Sequence, residues 1–207
     1  MAAPTSVVLE AADTETASEF HRALGVAHLV GVRASAAPSS GFRGFTLSLV
    51  VPGPGTVDAL VATALDAGAT PLKPVAKSLW GYGGVVAGPD GAIWKVATSA
   101  RKDPGPVDRG VDRVVLLLGV ADVKASRRRY ADRGLAVARS FGSRYVEFDT
   151  GASPVGLGLY GRRALAKDAG VPEEGSGSHR LVIGGDAGGF TDPDGFVWEA
   201  TATVEAR

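Results

Sequence analysis

Apolar residues along this chain follow two different spacings, the two-residue period of strands and the wider period of helices. Alternating or continuous apolar stretches predict strands at residues 6–10, 27–32, 42–51, 112–118, 135–141, 144–150 and 154–161. Helical spacing predicts helices over residues 14–24, 56–67 and 123–133, and a glycine follows each of them directly, as at many helix ends. Asp13 and Asp122 precede the first and third helices and are expected to cap them. The mixture predicts an α+β fold.

One nine-residue phrase occurs twice, with its charge reversed at one position. GPDGAIWKV spans residues 88–96 and DPDGFVWEA spans residues 192–200, an offset of 104 residues that indicates internal duplication. In each copy a turn leads into an alternating strand, where Lys95 of the first copy corresponds to Glu199 of the second. We ask why the same hairpin is used twice with opposite charge.

The stretch RKDPGPVDRG, residues 101–110, has no apolar pattern, and we interpret it as a linker. It separates a first half, residues 1–100, from a second half, residues 111–207. The halves open alike but then diverge. The repeat unit is therefore expected to be a strand, a helix and several strands, used about four times, with later strands trimmed from the first unit and the helix trimmed from the last.

Composition narrows the possible partners. Lys plus Arg and Asp plus Glu both total 22, so the formal net charge is zero, which argues against nucleic acid or an anionic membrane as the main partner. No cysteine is present, which excludes disulfides and thiolate chemistry. The longest apolar run, 114–118, is too short to span a bilayer, and the opening MAAPTSVVLE carries no visible signal peptide. The expected location is cytoplasmic.

Four stretches resemble the vicinal oxygen chelate superfamily, which includes glyoxalases, bleomycin-resistance proteins and extradiol dioxygenases. They are DPDGFVWE (192–199), GPDGAIWK (88–95), WGYGG (80–84) and VDRVVLLLGVADVKASRRRY (111–130). The resemblance implies tandem βαβββ-type units that form cup-shaped antiparallel sheets. In this superfamily a His from a unit's first strand and a Glu from its last strand hold a metal ion in the cup.

This chain departs from that ligand pattern. Arg113 stands where the third unit would carry its His, Ser6 is the loose match in the first unit, and Lys95 stands in place of a Glu. Only His179 and Glu199 are ligand types at ligand-like positions. Because a metal site with an open position usually needs three protein ligands, no metal or other cofactor is expected. The alternative is one divalent metal ion held by His179 and Glu199.

These departures suggest that side-chain cations replace the metal. We hypothesise that Arg113 faces Glu199 across the second cup as an ion pair, and that Lys95 supplies a fixed positive charge in the first. Strand alternation after the DPDG turn directs Glu199 and Lys95 towards the cups. Trp80 or Tyr82 either stacks on a planar ligand or belongs to the core, and His179 is a ligand, a base or a loop residue.

Three functions follow from this pattern. The first is a metal-free cup that binds a small planar or acidic molecule, with contacts from Trp80, Tyr82, Lys95, Arg113, His179 and Glu199. The second is a metal-dependent lyase, isomerase or dioxygenase that uses His179 and Glu199. The third is a metal-free enzyme in which Glu199 moves a proton and Arg113 stabilises an enolate. The protein is expected to be a monomer or a homodimer.

Other signals are interpreted structurally. The glycine-rich GLGLYG, 156–161, lies in an alternating strand, so a dinucleotide site is not expected, and its glycines instead let a ligand or backbone approach closely. His21 and His28 are expected in or beside the core. The segment 162–170 is either a short helix that covers the second cup or a plain connector.

Overall fold

The computed structural model describes residues 2–78, 81–107 and 109–200. Its helices within these ranges are α1 (Thr14–Ala23), α2 (Pro54–Asp66), α3 (Val123–Asp132) and α4 (Arg162–Ala169). The strands of the first half are β1 (Pro4–Ala11), β2 (Val30–Ala34), β3 (Ser39–Gly41), β4 (Phe45–Val50), β5 (Thr70–Ser78), β6 (Gly81–Ala87) and β7 (Ile93–Thr98). Those of the second half are β8 (Arg113–Val120), β9 (Ala136–Ser140), β10 (Tyr145–Asp149), β11 (Val155–Gly161), β12 (Gly175–Gly177), β13 (Leu181–Gly185), β14 (Phe190–Thr191) and β15 (Val197–Ala200).

Two complete units form an eight-stranded sheet of order β5-β6-β7-β4-β8-β11-β10-β9. One unit is β4-α2-β5-β6-β7 and the other is β8-α3-β9-β10-β11, and the antiparallel pair β4–β8 joins them. Within each unit the first and last strands are parallel, β4 with β7 and β8 with β11, so the sheet is mixed. The stretch predicted as a linker thus connects two units of one sheet.

The first and last units share a second sheet of order β14-β15-β13-β1-β2. Strands β1 and β13 are antiparallel, whereas β1 with β2 and β13 with β15 are parallel. The first unit contributes only β2 to this sheet after its helix, and the last unit runs from β13 to β15 with no helix between. The trimming of these two units is therefore confirmed.

Helices α1, α2 and α3 cover one face of the sheets, and the main core lies beneath them. Along β4 and β8 every second residue is buried there, as the two-residue period requires, and Trp94 and Trp198 of the repeated phrase are almost fully buried in the same core. Truncating either tryptophan to alanine typically costs about 3–5 kcal/mol at such a position.

Local signals explain where the helices begin and end. The Asp13 carboxylate accepts from the backbone N–H of Thr16 at 3.0 Å, and Asp122 accepts from two backbone N–H groups of α3, so both predicted caps are confirmed. Helix α4 ends at Gly170, whose φ of 80° is in the left-handed region that glycine adopts without strain. The longest described helix has 13 residues, and none is long and apolar enough to cross a membrane.

Candidate functional site

The face of the eight-stranded sheet opposite α2 and α3 contains an open, charged cavity, and we call this face the cup. Strand alternation places a mixed set of side chains on it. From the first unit of the sheet these are Thr46, Ser48, Val50, Val85, Ile93, Lys95 and Ala97, and from the second they are Arg113, Val115, Leu117, Tyr145, Glu147 and Tyr160.

Helix α4 fills one end of the cup. Leu165, Ala166 and Ala169 on its inner side are buried in a cluster that includes Ile93 and Leu117 of the sheet. The predicted short helix at this segment is thus present, but it packs on the eight-stranded sheet rather than over the sheet of Glu199. Because α4 lies between the third and fourth units, the regular βαβββ pattern has no place for it.

The other end of the cup remains open as a cavity of about 490 Å³. Its apolar and small residues include Val50, Gly83, Val85 and Ala97, and its charged residues are Lys73, Lys77, Lys95 and Asp168. A second cavity of about 700 Å³ adjoins it along Lys77, Ser78, Gly81, Tyr82 and Ser99 and extends to Arg101, Lys102 and Asp103. Positive charge therefore exceeds negative charge around the open end.

Two of the cup's lysines bind the carboxyl end of α4. The Lys95 ammonium lies 2.7 Å from the Asp168 carboxylate, and the Lys73 ammonium donates to the carbonyl oxygens of Lys167 at 2.8 Å and Asp168 at 2.6 Å. A cation at this position also interacts favourably with the negative end of the helix dipole. The side chains of Lys95 and Asp168 are 32% and 46% exposed, so their ion pair contributes at most about 1 kcal/mol to stability.

Arg113 stands on the second unit's half of the cup, where Val50 is its neighbour across β4 and β8. Its Nη2 donates to the Thr150 hydroxyl at 2.5 Å, while its buried Nε has no partner among the described residues. The guanidinium lies against Gly156, where a Cβ would come within 3.0 Å of Nε. The first glycine of GLGLYG therefore makes room for an arginine.

Glu199 belongs to the other sheet, on strand β15. Its carboxylate lies 3.1 Å from Arg33, and the same guanidinium lies 2.6 Å from Glu10. These two carboxylates raise the pKa of the Arg33 guanidinium. The expected ion pair between Arg113 and Glu199 is therefore wrong, because β8 and β15 lie in different sheets and Glu199 is paired with Arg33.

The His179 ring is held by backbone carbonyl groups and by an aromatic neighbour. Its Nδ1 is hydrogen-bonded to the Arg43 carbonyl, its Nε2 lies 2.8 Å from the Asp194 carbonyl, and its ring stacks on Phe196 with centroids 4.1 Å apart. Carbonyl oxygens at both ring nitrogens leave neither available to a metal. Among the described residues His179 and Glu199 also share no partner, so these two residues do not fit the metal that the family resemblance implies. In the described ranges no group of three or more His, Asp and Glu is placed to hold a metal ion.

The aromatic residues singled out in WGYGG have different outcomes. Trp80 lies outside the described residues. Tyr82 shares the helix-facing side of the sheet, where its hydroxyl donates to Asp58 of α2 at 2.8 Å, and this bond raises the Tyr82 pKa. Its hydroxyl is thus directed to α2, while Tyr82 also lines both cavities at the open end of the cup, and its stacking on a ligand stays a prediction.

Sequence reasoning missed Lys73, Lys77 and Asp168. The two lysines lie in TPLKPVAKS, a strand interrupted by two prolines, whose pairing with β6 is irregular. Their positions therefore do not follow from simple alternation. The basic character of the segment was the only available signal.

The arrangement of the eight-stranded and five-stranded sheets is similar to that of solved glyoxalase structures. Glyoxalase I from Zea mays matches the chain with a TM-score of 0.62 and 11% identity, over 97% of this chain and 92% of that protein. A candidate dioxygenase from Bacillus subtilis matches with a TM-score of 0.55 and 11% identity, over 93% of this chain and 71% of that protein. Comparison of the sequence with protein-family models and with curated proteins finds no match.

Proposed function

We propose that this protein binds a small acidic molecule at the open end of the cup, without a metal ion. The observation that carries the proposal is the set of three lysines, Lys73, Lys77 and Lys95, around a cavity that holds one carboxylate, Asp168. A ligand carboxylate would accept charge-assisted hydrogen bonds from these ammonium groups, which are about twice as strong as neutral ones. Apolar atoms of the ligand would contact Val50, Val85 and Ala97.

The dimensions of the cavity support a small molecule. Ligand sites commonly enclose about 300–1,000 Å³ and combine apolar walls with a few polar groups. The cavity of about 490 Å³ falls in this range. The three lysines around this cavity support the acidic part of the expectation. No observation favours the metal-dependent enzyme, and the proton-transfer enzyme loses its basis with the separation of Glu199 from Arg113.

A matched ligand panel tests this proposal. Small carboxylic acids and their primary amides, which have nearly the same shape, would be compared by thermal shift and by calorimetry at low and moderate salt. We expect acids to raise the melting temperature and amides to have little effect, with the affinity of the acids falling as salt screens the lysines. Equal binding of acids and amides, or binding that is independent of salt, would contradict the proposal.

Asp168 competes with an acidic ligand for Lys95, so we expect Asp168→Asn to tighten acid binding about 2- to 5-fold, the range of a partly exposed ion pair. The measurement is the dissociation constant of the best acid from the panel. Asp132→Asn is the control. Asp132 is an exposed aspartate in the last turn of α3, which lies on the face of the sheet opposite the cup. Weaker acid binding by the Asp168 variant would indicate that this carboxylate supports the ligand instead.

A further inference from the structure

The second copy of the repeated hairpin contains a closed network of buried hydrogen bonds. The indole Nε1 of Trp198 donates to the Tyr130 hydroxyl at 3.3 Å, and this hydroxyl donates to Oδ2 of Asp192 at 2.8 Å. Oδ1 of Asp192 accepts from the backbone N–H groups of Asp194 and Phe196, both at 2.9 Å. The tyrosine hydroxyl thus works as donor and acceptor at once and connects α3 to the hairpin.

In the first copy, Gly88 occupies the place of Asp192, and Asp90 takes over its role. Oδ1 of Asp90 accepts from the backbone N–H of Ala92 at 3.1 Å. Ala92 and Phe196 are both the fifth residue of the repeated phrase, so this bond corresponds to the one between Phe196 and Asp192. Oδ2 of Asp90 is therefore the counterpart of the oxygen that accepts from Tyr130.

His21 takes the place of Tyr130. Each lies eight residues after the aspartate that caps its helix, and each packs edge-on against the repeated tryptophan, with ring centroids 5.3 Å apart for His21 and Trp94 and 5.8 Å apart for Tyr130 and Trp198. Nδ1 of His21 lies 3.0 Å from the Val30 carbonyl, so this nitrogen carries the proton. Burial lowers the His21 pKa, which favours the neutral ring and leaves Nε2 as an acceptor.

Four polar atoms remain without a partner around Asp90. In the described part of the chain five buried side-chain nitrogen or oxygen atoms have no hydrogen bond, and four of them are Nε1 of Trp94, Nη1 of Arg43, Oδ2 of Asp90 and Nε2 of His21. A Cβ at Gly88 would lie 2.9 Å from Oδ1 of Asp90 and 3.2 Å from Nε1 of Trp94, and Arg43 donates to the Asp90 carbonyl. The four atoms are two donors and two acceptors.

We propose that these groups bind an ordered water molecule that does the work of the Tyr130 hydroxyl. The water accepts from Trp94 and donates to Asp90, with Arg43 and His21 supplying the remaining donor and acceptor. A water has two hydrogens and two lone pairs, which matches this set. The Asp90 carboxylate disfavours an anion here, and the Arg43 guanidinium disfavours a cation.

The test uses NMR on the intact protein, with the two tryptophans compared in one sample. We expect the indole N–H of Trp94 to show a direct cross-peak to water in nuclear Overhauser spectra, and the indole N–H of Trp198 to show none, because Tyr130 occupies its position. Absence of the water cross-peak at Trp94 would overturn the proposal.

A pair of variants provides a second readout. In His21→Tyr a phenolic hydroxyl can reach from Trp94 to Asp90 and replace the water, whereas in His21→Phe the water loses one acceptor but keeps Trp94, Asp90 and Arg43. We expect the Trp94 cross-peak to water to be lost in the Tyr variant and kept in the Phe variant. A cross-peak that persists in the Tyr variant, or that disappears in both variants, would contradict the proposed role of the water.

Discussion

Replacing Lys95 with methionine is expected to weaken the binding of an acidic ligand about 10- to 100-fold, the loss that follows from removing one hydrogen bond to a charged group. Methionine keeps an unbranched chain of similar length, so the cup retains its shape. The substitution also removes the ion pair with Asp168, but both partners are partly exposed, and the free energy of unfolding should change by less than about 1 kcal/mol.

The measurement is calorimetric titration with an acid that binds the unmodified protein. Lys124→Met is the matched control. Lys124 is exposed at the start of α3, so this substitution removes the same charge at a position away from the cup. We expect the control to bind as the unmodified protein does. If Lys95→Met also binds normally, the acidic ligand does not occupy the cup.

Tyr130→Phe is expected to lower the free energy of unfolding by about 2–4 kcal/mol, since it removes two buried hydrogen bonds and leaves two polar groups unsatisfied. One of these groups is the Asp192 carboxyl. Burial already raises the Asp192 pKa, and the bond from Tyr130 opposes that rise. Loss of the bond should raise this pKa further.

The resulting pH dependence has a defined sign. A carboxyl whose pKa is higher in the folded state than in the unfolded state holds its proton more readily when folded, so protonation stabilises the fold. The loss of unfolding free energy in Tyr130→Phe should therefore be largest near pH 7. It should shrink as the pH falls through the folded-state pKa of Asp192 towards the pKa of an aspartate in the unfolded chain, about 3.9.

Urea unfolding at pH 7 and pH 5 measures both effects. Tyr160→Phe is the control, because Tyr160 is part-buried on β11 and its hydroxyl has no hydrogen bond among the described residues, so its removal should change stability by no more than about 0.5 kcal/mol. An unfolding free energy for Tyr130→Phe that matches the control would mean that the Asp192 network contributes little.

Much of the local structure was predictable because the decisive signals are local. Asp13 and Asp122 cap helices that begin where the pattern indicates, and the repeated phrase forms a turn and a strand in both copies. The choice of neighbouring strands was not predictable in this way. A two-residue period shows which face of a strand is buried, but the same period fits any partner strand.

This limit accounts for the outcomes at the site. Alternation puts Lys95, Arg113 and Glu199 on the faces opposite the helices, yet it does not show that the first two share a sheet and the third lies in another. The partner of Glu199 is Arg33, 166 residues earlier in the chain. Asp168 reaches Lys95 only because α4 packs into the cup, a tertiary contact with no counterpart in the repeat.

The pairing of the first strand with one of the last imposes an order on folding during synthesis. Val7 of β1 pairs with Ile183 of β13, so β1 emerges from the ribosome long before its antiparallel neighbour does. The last strand of the eight-stranded sheet along the sequence is β11, so this sheet can assemble before β13 is synthesised. Such a long-range closure is slow, and until it occurs β1 exposes an unpaired edge to other nascent chains.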